Sequence, residues 1–242
     1  MKKLLIANWK MQLSYQDSLA LAKSFRKKIK KSTNELVICP DYLSLPAVAA
    51  VLKGSQWQLG AQDSAGAATG AYTGEVSPAN LKKLGAAYAI IGHSERREHL
   101  HENGAVISAK IKAALAQRLV PILCVGERLI EKENGEAKKY LSEQLRLSLK
   151  GVKIKKSSDL VIAYEPLWAI GTGHAIIPLE AGLINNFIKT QAAKILGKTV
   201  RVLYGGSVSA ANAGLFLAEK DVDGLLVGGA SLKTEEFKRI CS

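Results

Sequence analysis

Cysteine is scarce in this chain: only Cys39, Cys124 and Cys241 occur among 242 residues. The count is odd, and no spacing among them matches a disulfide framework or a metal site. We therefore expect free thiols in a reducing cytoplasm. No other cluster of His, Cys, Asp or Glu has metal-ligand spacing, so we expect neither a metal ion nor an organic cofactor.

Long hydrophobic runs are also missing. No segment approaches the roughly 18–20 apolar residues that a membrane span requires. The apolar stretch 4–7 is shorter than the apolar core of a secretory signal, which needs about 7–15 residues. We expect a soluble cytoplasmic protein with no membrane partner. A Gly-x-x-x-x-Gly-Lys-Ser/Thr loop is absent as well, which leaves nucleotide binding by that route unsupported.

Acidic residues are outnumbered, 21 against 34 Lys and Arg, which makes the net charge +13. Such an excess favours either a nucleic-acid partner or electrostatic steering of a small anionic substrate. The basic runs at 26–31 and 153–156 contain no interleaved aromatic residues on which bases could stack. Each run falls where we expect a helix to end, and cations there complement the helix dipole. We therefore predict solvated helix ends and no nucleic-acid partner.

Eight short apolar runs alternate with helical patterns along the whole chain. They lie at 4–7, 36–39, 57–61, 87–91, 120–125, 160–163, 200–203 and 224–227. Their average spacing of about 30 residues is the size of one βα unit. The length suits a single-domain (β/α)8 barrel over residues 1–242, a fold of typically about 250 residues. A doubly wound open sheet, or two smaller α/β domains, would satisfy the spacing alone equally well.

Residues suited to chemistry follow five of these runs. If the strands close into a barrel, their carboxyl ends converge on one mouth, where barrel enzymes hold their active sites. The candidates, in chain order, are Asn8 and Lys10, then His93 and Glu95, then Glu165, then Ser207, and finally Gly228 and Gly229.

Glu165 precedes a Pro-x-Trp segment and a turn at Gly171-Thr172-Gly173, a pattern that predicts a base with a lid attached. A carboxylate sheltered from water becomes more basic and can abstract a proton from carbon beside a carbonyl. His93 precedes a predicted helix start, whose positive end disfavours an imidazolium, so a neutral His93 could polarise the carbonyl. Lys10 would supply fixed positive charge to an anionic transition state. Asn8 would orient Lys10 or a substrate oxygen, and Glu95 would hold Lys10.

Two glycine pairs predict a phosphate site. Glycine lets backbone N–H groups approach an anion closely, and loops after strands seven and eight of barrels often form such a site. Ser207 adds a hydroxyl to the first pair, Gly228 and Gly229 form the second, and Gly171 would complete the cradle when the lid closes. The glycine-rich loop 63–77 is longer than a turn requires. It is either a mobile surface loop or an arm that docks into a partner subunit.

Seven motifs in order resemble the triosephosphate isomerase family across the entire chain. They are Asn8-Trp9-Lys10 and Gly228-Gly229 at the ends and, between them, the motifs at 70–77, 90–97, 124–127, 163–173 and 204–208. The resemblance implies a (β/α)8 barrel that interconverts dihydroxyacetone phosphate and glyceraldehyde 3-phosphate in glycolysis and gluconeogenesis. It implies Glu165 as the base and His93 as the electrophile. It also implies substrate contacts from Lys10 and Asn8, and a phosphate held at Gly171, Ser207, Gly228 and Gly229. Finally, it implies a homodimer in which Thr73, at the tip of the arm, enters a pocket of the second subunit.

Two other functions fit parts of the pattern. A different phosphate-binding barrel isomerase, acting on a phosphoribosyl substrate, would share the glycine pairs but would not need His93 together with Glu165. A binding protein that has lost catalysis could use the basic surface to hold RNA or acidic lipids, and would be expected to lack a catalytic group.

Overall fold

The computed structural model describes residues 2–169 and 176–242. Within them, eight parallel strands form a closed barrel in sequence order, and β1 pairs with β8 to complete the circle. All eight predicted strands are confirmed, with ends that move by at most one residue, and closure rules out the open doubly wound sheet. The strands β1 to β8 are Leu4–Asn8, Glu35–Cys39, Trp57–Ala61, Ala86–Ile91, Val120–Val125, Val161–Tyr164, Arg201–Tyr204 and Gly224–Val227.

Helices follow the strands and pack around the barrel. Local signals set several of their ends. Ser14 caps the first helix by accepting the N–H of Asp17 at 3.1 Å, and Pro178 opens the eighth, where a missing N–H costs nothing. The helices α1 to α10 are Tyr15–Lys28, Leu45–Leu52, Pro78–Leu84, Ser94–His99, Gly104–Ala116, Leu129–Glu133, Ala137–Ser148, Pro178–Leu196, Ala213–Ala218 and Thr234–Ile240.

The core has two layers because successive strand side chains point to opposite faces. In β1, Leu4 and Ile6 enter the cluster that fills the barrel interior. Leu5 and Ala7 enter the larger cluster between the strands and the helices. Both layers are buried, so the strands can be apolar at every position. The filled interior confines chemistry to the ends of the barrel.

The two basic runs have different settings. Residues 26–28 occupy the last turn of α1, as predicted. The prediction for residues 153–156 is wrong, since α7 ends at Ser148 and Gly151 turns the chain with a φ of 68°. Beyond it the chain is irregular, with Val152 and Ile154 buried and Lys153 and Lys155 exposed. The apolar–basic alternation belongs to an extended segment, so helix-dipole complementarity does not account for these lysines.

The loop 63–77 projects from the carboxyl end of β3. Its base is held by a hydrogen bond from the N–H of Ala65 to the carbonyl of Val76, at 2.8 Å. Thr73 lies exposed near its tip. Of the helices in the described ranges, none combines the length and the apolar character required to cross a bilayer.

Candidate active site

A cavity of about 240 Å³ lies at the mouth formed by the carboxyl ends of the strands. Seven of the nine predicted site residues line it: Asn8, Lys10, His93, Glu165, Ser207, Gly228 and Gly229. Glu95 is not among the residues that line the cavity, but its carboxylate forms an ion pair with Lys10, which is. Gly171, with the rest of the predicted lid turn, falls outside the described residues. Barrel closure therefore assembles groups that are more than two hundred positions apart in the chain.

Glu165 lies at the end of β6 and is almost fully buried, with 2% of its surface exposed. One carboxylate oxygen, Oε2, accepts the backbone N–H of Ser94 at 3.1 Å. The other, Oε1, lies 3.2 Å from Nε2 of His93. Gly126 makes this placement possible, because a Cβ there would stand 1.7 Å from the Glu165 carbonyl oxygen. The carboxylate is thus held at the cavity wall by the N–H of Ser94, with the imidazole of His93 beside it.

His93 caps the N-terminus of α4. Its Nδ1 accepts the backbone N–H of Glu95 at 3.3 Å, so the lone pair on that nitrogen is occupied. In a neutral imidazole the remaining proton then lies on Nε2. His93 is therefore arranged to offer an N–H donor at Nε2, the atom that faces Glu165.

Lys10 has a backbone conformation that is uncommon for a residue with a side chain, with a φ of 52°. Two hydrogen bonds hold it: its N–H donates to Oδ1 of Asn8 at 3.1 Å, and its carbonyl accepts from Nε2 of Gln62 at 2.8 Å. Its ammonium lies 2.6 Å from Oε1 of Glu95. Asn8 therefore contacts the backbone of Lys10, while Glu95 fixes the position of its charge.

The surroundings of Glu95 favour its ionised form. Partial burial acts to raise its pKa, but the hydrogen bond from Lys10 and the positive charge of Lys10 outweigh that effect. The pKa of Glu95 is consequently below its ordinary value. The ion pair with Lys10 persists at neutral pH.

The opposite side of the cavity is built from backbone. Ser207 follows β7, and Gly228 precedes a 3₁₀ turn at Gly229–Leu232. A Cβ at Gly229 would meet no atom within 4 Å, whereas one at Gly228 would lie 3.5 Å from the Cε of Lys10. Open space borders the glycines, and the Lys10 stem runs beside them. This side can accept an anionic group against backbone N–H donors.

The sequence did not predict a role for Glu127, which lies two residues after the end of β5. Its Oε1 accepts the hydroxyl of Tyr164 at 2.9 Å and the indole N–H of Trp168 at 2.8 Å. Its carbonyl accepts the N–H of Leu167 at 3.0 Å. Burial raises the pKa of Glu127. Glu127 therefore anchors the segment that follows Glu165. Like the predicted site residues, it lies just after the carboxyl end of a strand.

Cys124 is one of the three free cysteines and lies close to Glu165. It is buried in β5, and burial together with the charge of Glu165 raises the pKa of its thiol well above the usual value. A thiol with so high a pKa supplies little thiolate, the reactive form. Within the described ranges, no group of three or more His, Cys, Asp or Glu residues could hold a metal ion.

Comparisons with known proteins agree with this geometry. The family model described as triosephosphate isomerase matches residues 3–242. A triosephosphate isomerase of Clostridium tetani is 41% identical over 243 residues, covering 99% of this chain and 95% of the relative. One from Caldanaerobacter subterraneus subsp. tengcongensis is 42% identical, with 99% and 98% covered. The crystal structure of triosephosphate isomerase from Bartonella henselae superposes with a TM-score of 0.89 at 34% identity, covering 100% of this chain and 98% of that one.

Proposed function

The chain belongs to the triosephosphate isomerase family, and on that premise we propose that Glu165, His93 and Lys10 carry its chemistry. Its reaction is the interconversion of dihydroxyacetone phosphate and D-glyceraldehyde 3-phosphate, a step of glycolysis and gluconeogenesis. The observation that carries the assignment of residues is one cavity holding a carboxylate, an imidazole 3.2 Å away and an ammonium.

The substrate phosphate is proposed to bind at Ser207, Gly228 and Gly229, with Gly171 added from the lid. Support comes from the open space beside Gly229 and from the Lys10 stem next to Gly228. A phosphate fixed there would direct the three-carbon chain toward Glu165 and His93, because these side chains line the same cavity. Binding energy from the phosphate, which does not react, would then orient the carbons that do.

Proton transfer is proposed to begin when Glu165 gives up the N–H of Ser94 and turns to the substrate. Its carboxylate then removes a proton from the carbon beside the carbonyl, and the electrons move onto the carbonyl oxygen to form an enediolate. His93, as a neutral electrophile, donates a hydrogen bond from Nε2 to that oxygen, and it moves a proton between the two oxygens. Return of the proton from Glu165 to the adjacent carbon completes the isomerisation.

Lys10 is proposed to stabilise the negative charge that builds up in this step. Its ammonium is held in place before substrate arrives, by Glu95 on one side and by a constrained backbone on the other. A positioned charge costs no reorganisation during the reaction. Asn8 supports Lys10 through its backbone N–H and also lines the cavity, where its amide can meet a substrate oxygen.

The chain is further proposed to act as a single domain in a cytoplasmic homodimer assembled through loop 63–77. Three apolar side chains in loops at the mouth end of the barrel are unusually exposed for their type, Met11, Leu43 and Tyr72 at 94%, 84% and 56%. An exposed apolar set of this kind often marks a protein interface. The three cysteines are buried and free, which suits a reducing compartment.

Sedimentation equilibrium of the wild type and Thr73→Arg would test the dimer, since a large cation at the arm tip should dissociate it.

A coupled assay tests the function directly. Glyceraldehyde 3-phosphate is supplied, and dihydroxyacetone phosphate is consumed by a reductase with loss of NADH absorbance. Transfer of solvent deuterium to the product carbon reports the proton-transfer step separately. Turnover with deuterium incorporation is the expected result. An enzyme that ignored this substrate but turned over a phosphoribosyl sugar would contradict the proposal.

A further inference from the structure

A basic groove of about 750 Å³ lies at the amino end of the barrel strands. Its floor includes Val120, the first residue of β5. The mouth is at the other end of that strand, roughly 17 Å away for five steps of about 3.3 Å. Five cationic side chains line the groove: Lys112, Arg118, Lys153, Lys155 and Lys156. The groove is therefore separate from the isomerase site and from the arm, which follows the carboxyl end of β3.

The positive charge in the basic groove is uncompensated. None of its five cations forms an ion pair within the part of the chain that the structure describes. One acid, Asp159, lines the groove, and its Oδ2 accepts the backbone N–H groups of Lys155 and Lys156 at 2.9 and 2.8 Å. The carboxylate thus organises the backbone, while neither ammonium group has an ion-pair partner among the residues that the structure describes.

Local structure explains why these cations share one groove. Val152 and Ile154 are buried, so Lys153 and Lys155 project together on the exposed side of the same segment. Arg118 has a φ of 59°, a left-handed conformation that is energetically unfavourable for a residue with a side chain. Lys112 and Arg118 lie near the end of α5, where the helix dipole favours cations. No helix ends at the three lysines 153, 155 and 156, because α7 stops at Ser148.

From this charge and shape we propose that the basic groove binds a compact polyphosphate anion. Five cations against one carboxylate leave a charge excess that a chain of three phosphates would neutralise. Phosphate oxygens accept several charge-assisted hydrogen bonds from ammonium and guanidinium groups at once. No aromatic side chain is among the residues that line the groove, so it offers no platform for a base. Recognition would therefore be of the phosphate chain itself, and it does not depend on the isomerase chemistry.

Calorimetric titration of the whole protein with inorganic tripolyphosphate, in about 50 mM salt to limit screening, tests this proposal. We expect one ion to bind per chain. The double variant Lys153→Gln/Lys155→Gln should weaken binding at least about tenfold, since it removes two charged donors. The matched control Lys27→Gln/Lys30→Gln lowers the net charge equally at exposed positions of the other basic run, and should change binding by less than about threefold. Thermal unfolding of each variant checks that it is folded, and Lys112→Gln/Lys156→Gln provides a second pair from the groove.

Four results would overturn the proposal. Absence of binding would do so, as would equal weakening by the groove and control pairs, which would indicate diffuse surface charge. Unchanged binding in both groove variants would place the ion at the mouth instead. Adenosine triphosphate carries the same phosphate chain, and it should bind no more tightly than tripolyphosphate. Tighter binding of the nucleotide would contradict recognition of phosphate alone.

Discussion

Replacing Glu165 by glutamine removes the base and keeps its size, and the structure indicates what else changes. Its Oε2 accepts the N–H of Ser94 at 3.1 Å, and its Oε1 lies 3.2 Å from Nε2 of His93. A glutamine side chain has one acceptor oxygen, so one of these contacts must be lost. An unmade buried hydrogen bond costs about 1–3 kcal/mol, and the relief of no longer burying a charge offsets part of that cost.

The expected effect on turnover is much larger than the effect on folding. Loss of a general base typically costs about 10²–10⁴ in rate, which corresponds to about 3–5 kcal/mol of transition-state free energy. Ser207, Gly228 and Gly229 are untouched by the substitution. The KM of Glu165→Gln should therefore stay within about threefold of wild type while kcat falls by the full factor, because the lost interaction acts in the transition state.

The coupled isomerase assay and solvent deuterium incorporation measure this prediction together. Both should fall in parallel, since both require the same proton abstraction. Glu98→Gln, a substitution at an exposed acid of α4, is the matched control and should retain normal kcat and KM. Turnover of Glu165→Gln within about threefold of wild type, in a protein with an unchanged unfolding midpoint, would refute the assignment of Glu165 as the base.

Three further substitutions test other parts of the structure. Lys10→Met keeps the stem and removes the charge, so steady-state kinetics should show kcat/KM lowered by about 10²-fold or more; a normal value would contradict its role. Gly126→Ala would place a methyl group 1.7 Å from the Glu165 carbonyl. It should lower the free energy of unfolding by about 1–3 kcal/mol in urea titrations, and an unchanged midpoint would count against this packing. Lys110→Met removes a buried ammonium that pairs with Asp63, while Arg96 remains beside the same carboxylate, and it should cost about 1–3 kcal/mol at neutral pH. Burial already raises the pKa of Asp63 to about 6, and Lys110 opposes that rise. Because the pKa of Asp63 is higher in the folded protein than in the unfolded chain, stability is lost as pH rises through the folded-state pKa. The variant should therefore unfold more easily at pH 8 than at pH 5, by a wider margin than wild type, and a flat pH profile would exclude this account.

Local sequence patterns were sufficient to predict the eight strands, but they did not predict the structural setting of every segment between them. The eight strands were predictable because parallel strands buried on both faces are apolar throughout, as at Val120–Val125. The setting of Lys153 was mispredicted because a basic run looks the same at a helix end and in an extended segment. The buried neighbours Val152 and Ile154 show which setting applies, and their burial depends on packing against the barrel.

The site residues divide in the same way, into those that the sequence predicts and those whose roles depend on tertiary contacts. That Glu165 and His93 each follow a strand is visible in the sequence, and this position is enough to nominate them. Gln62 and Glu127 also lie within two residues of a strand end, yet their roles depend on the partners they meet. Gln62 holds the carbonyl of Lys10, and Glu127 holds the indole of Trp168. Neither contact can be inferred from spacing, since the partners lie 52 and 41 positions away.

The sequence by itself determined the order of the elements, the residue types that follow each strand and the family to which the chain belongs. These properties follow from local apolar periodicity and from short motifs. Only the tertiary structure decided which nitrogen of His93 faces Glu165, how Lys10 is held, and that five cations meet in one groove. Such facts depend on closure of β1 against β8 and on distances of a few ångströms between remote residues, which no local pattern encodes.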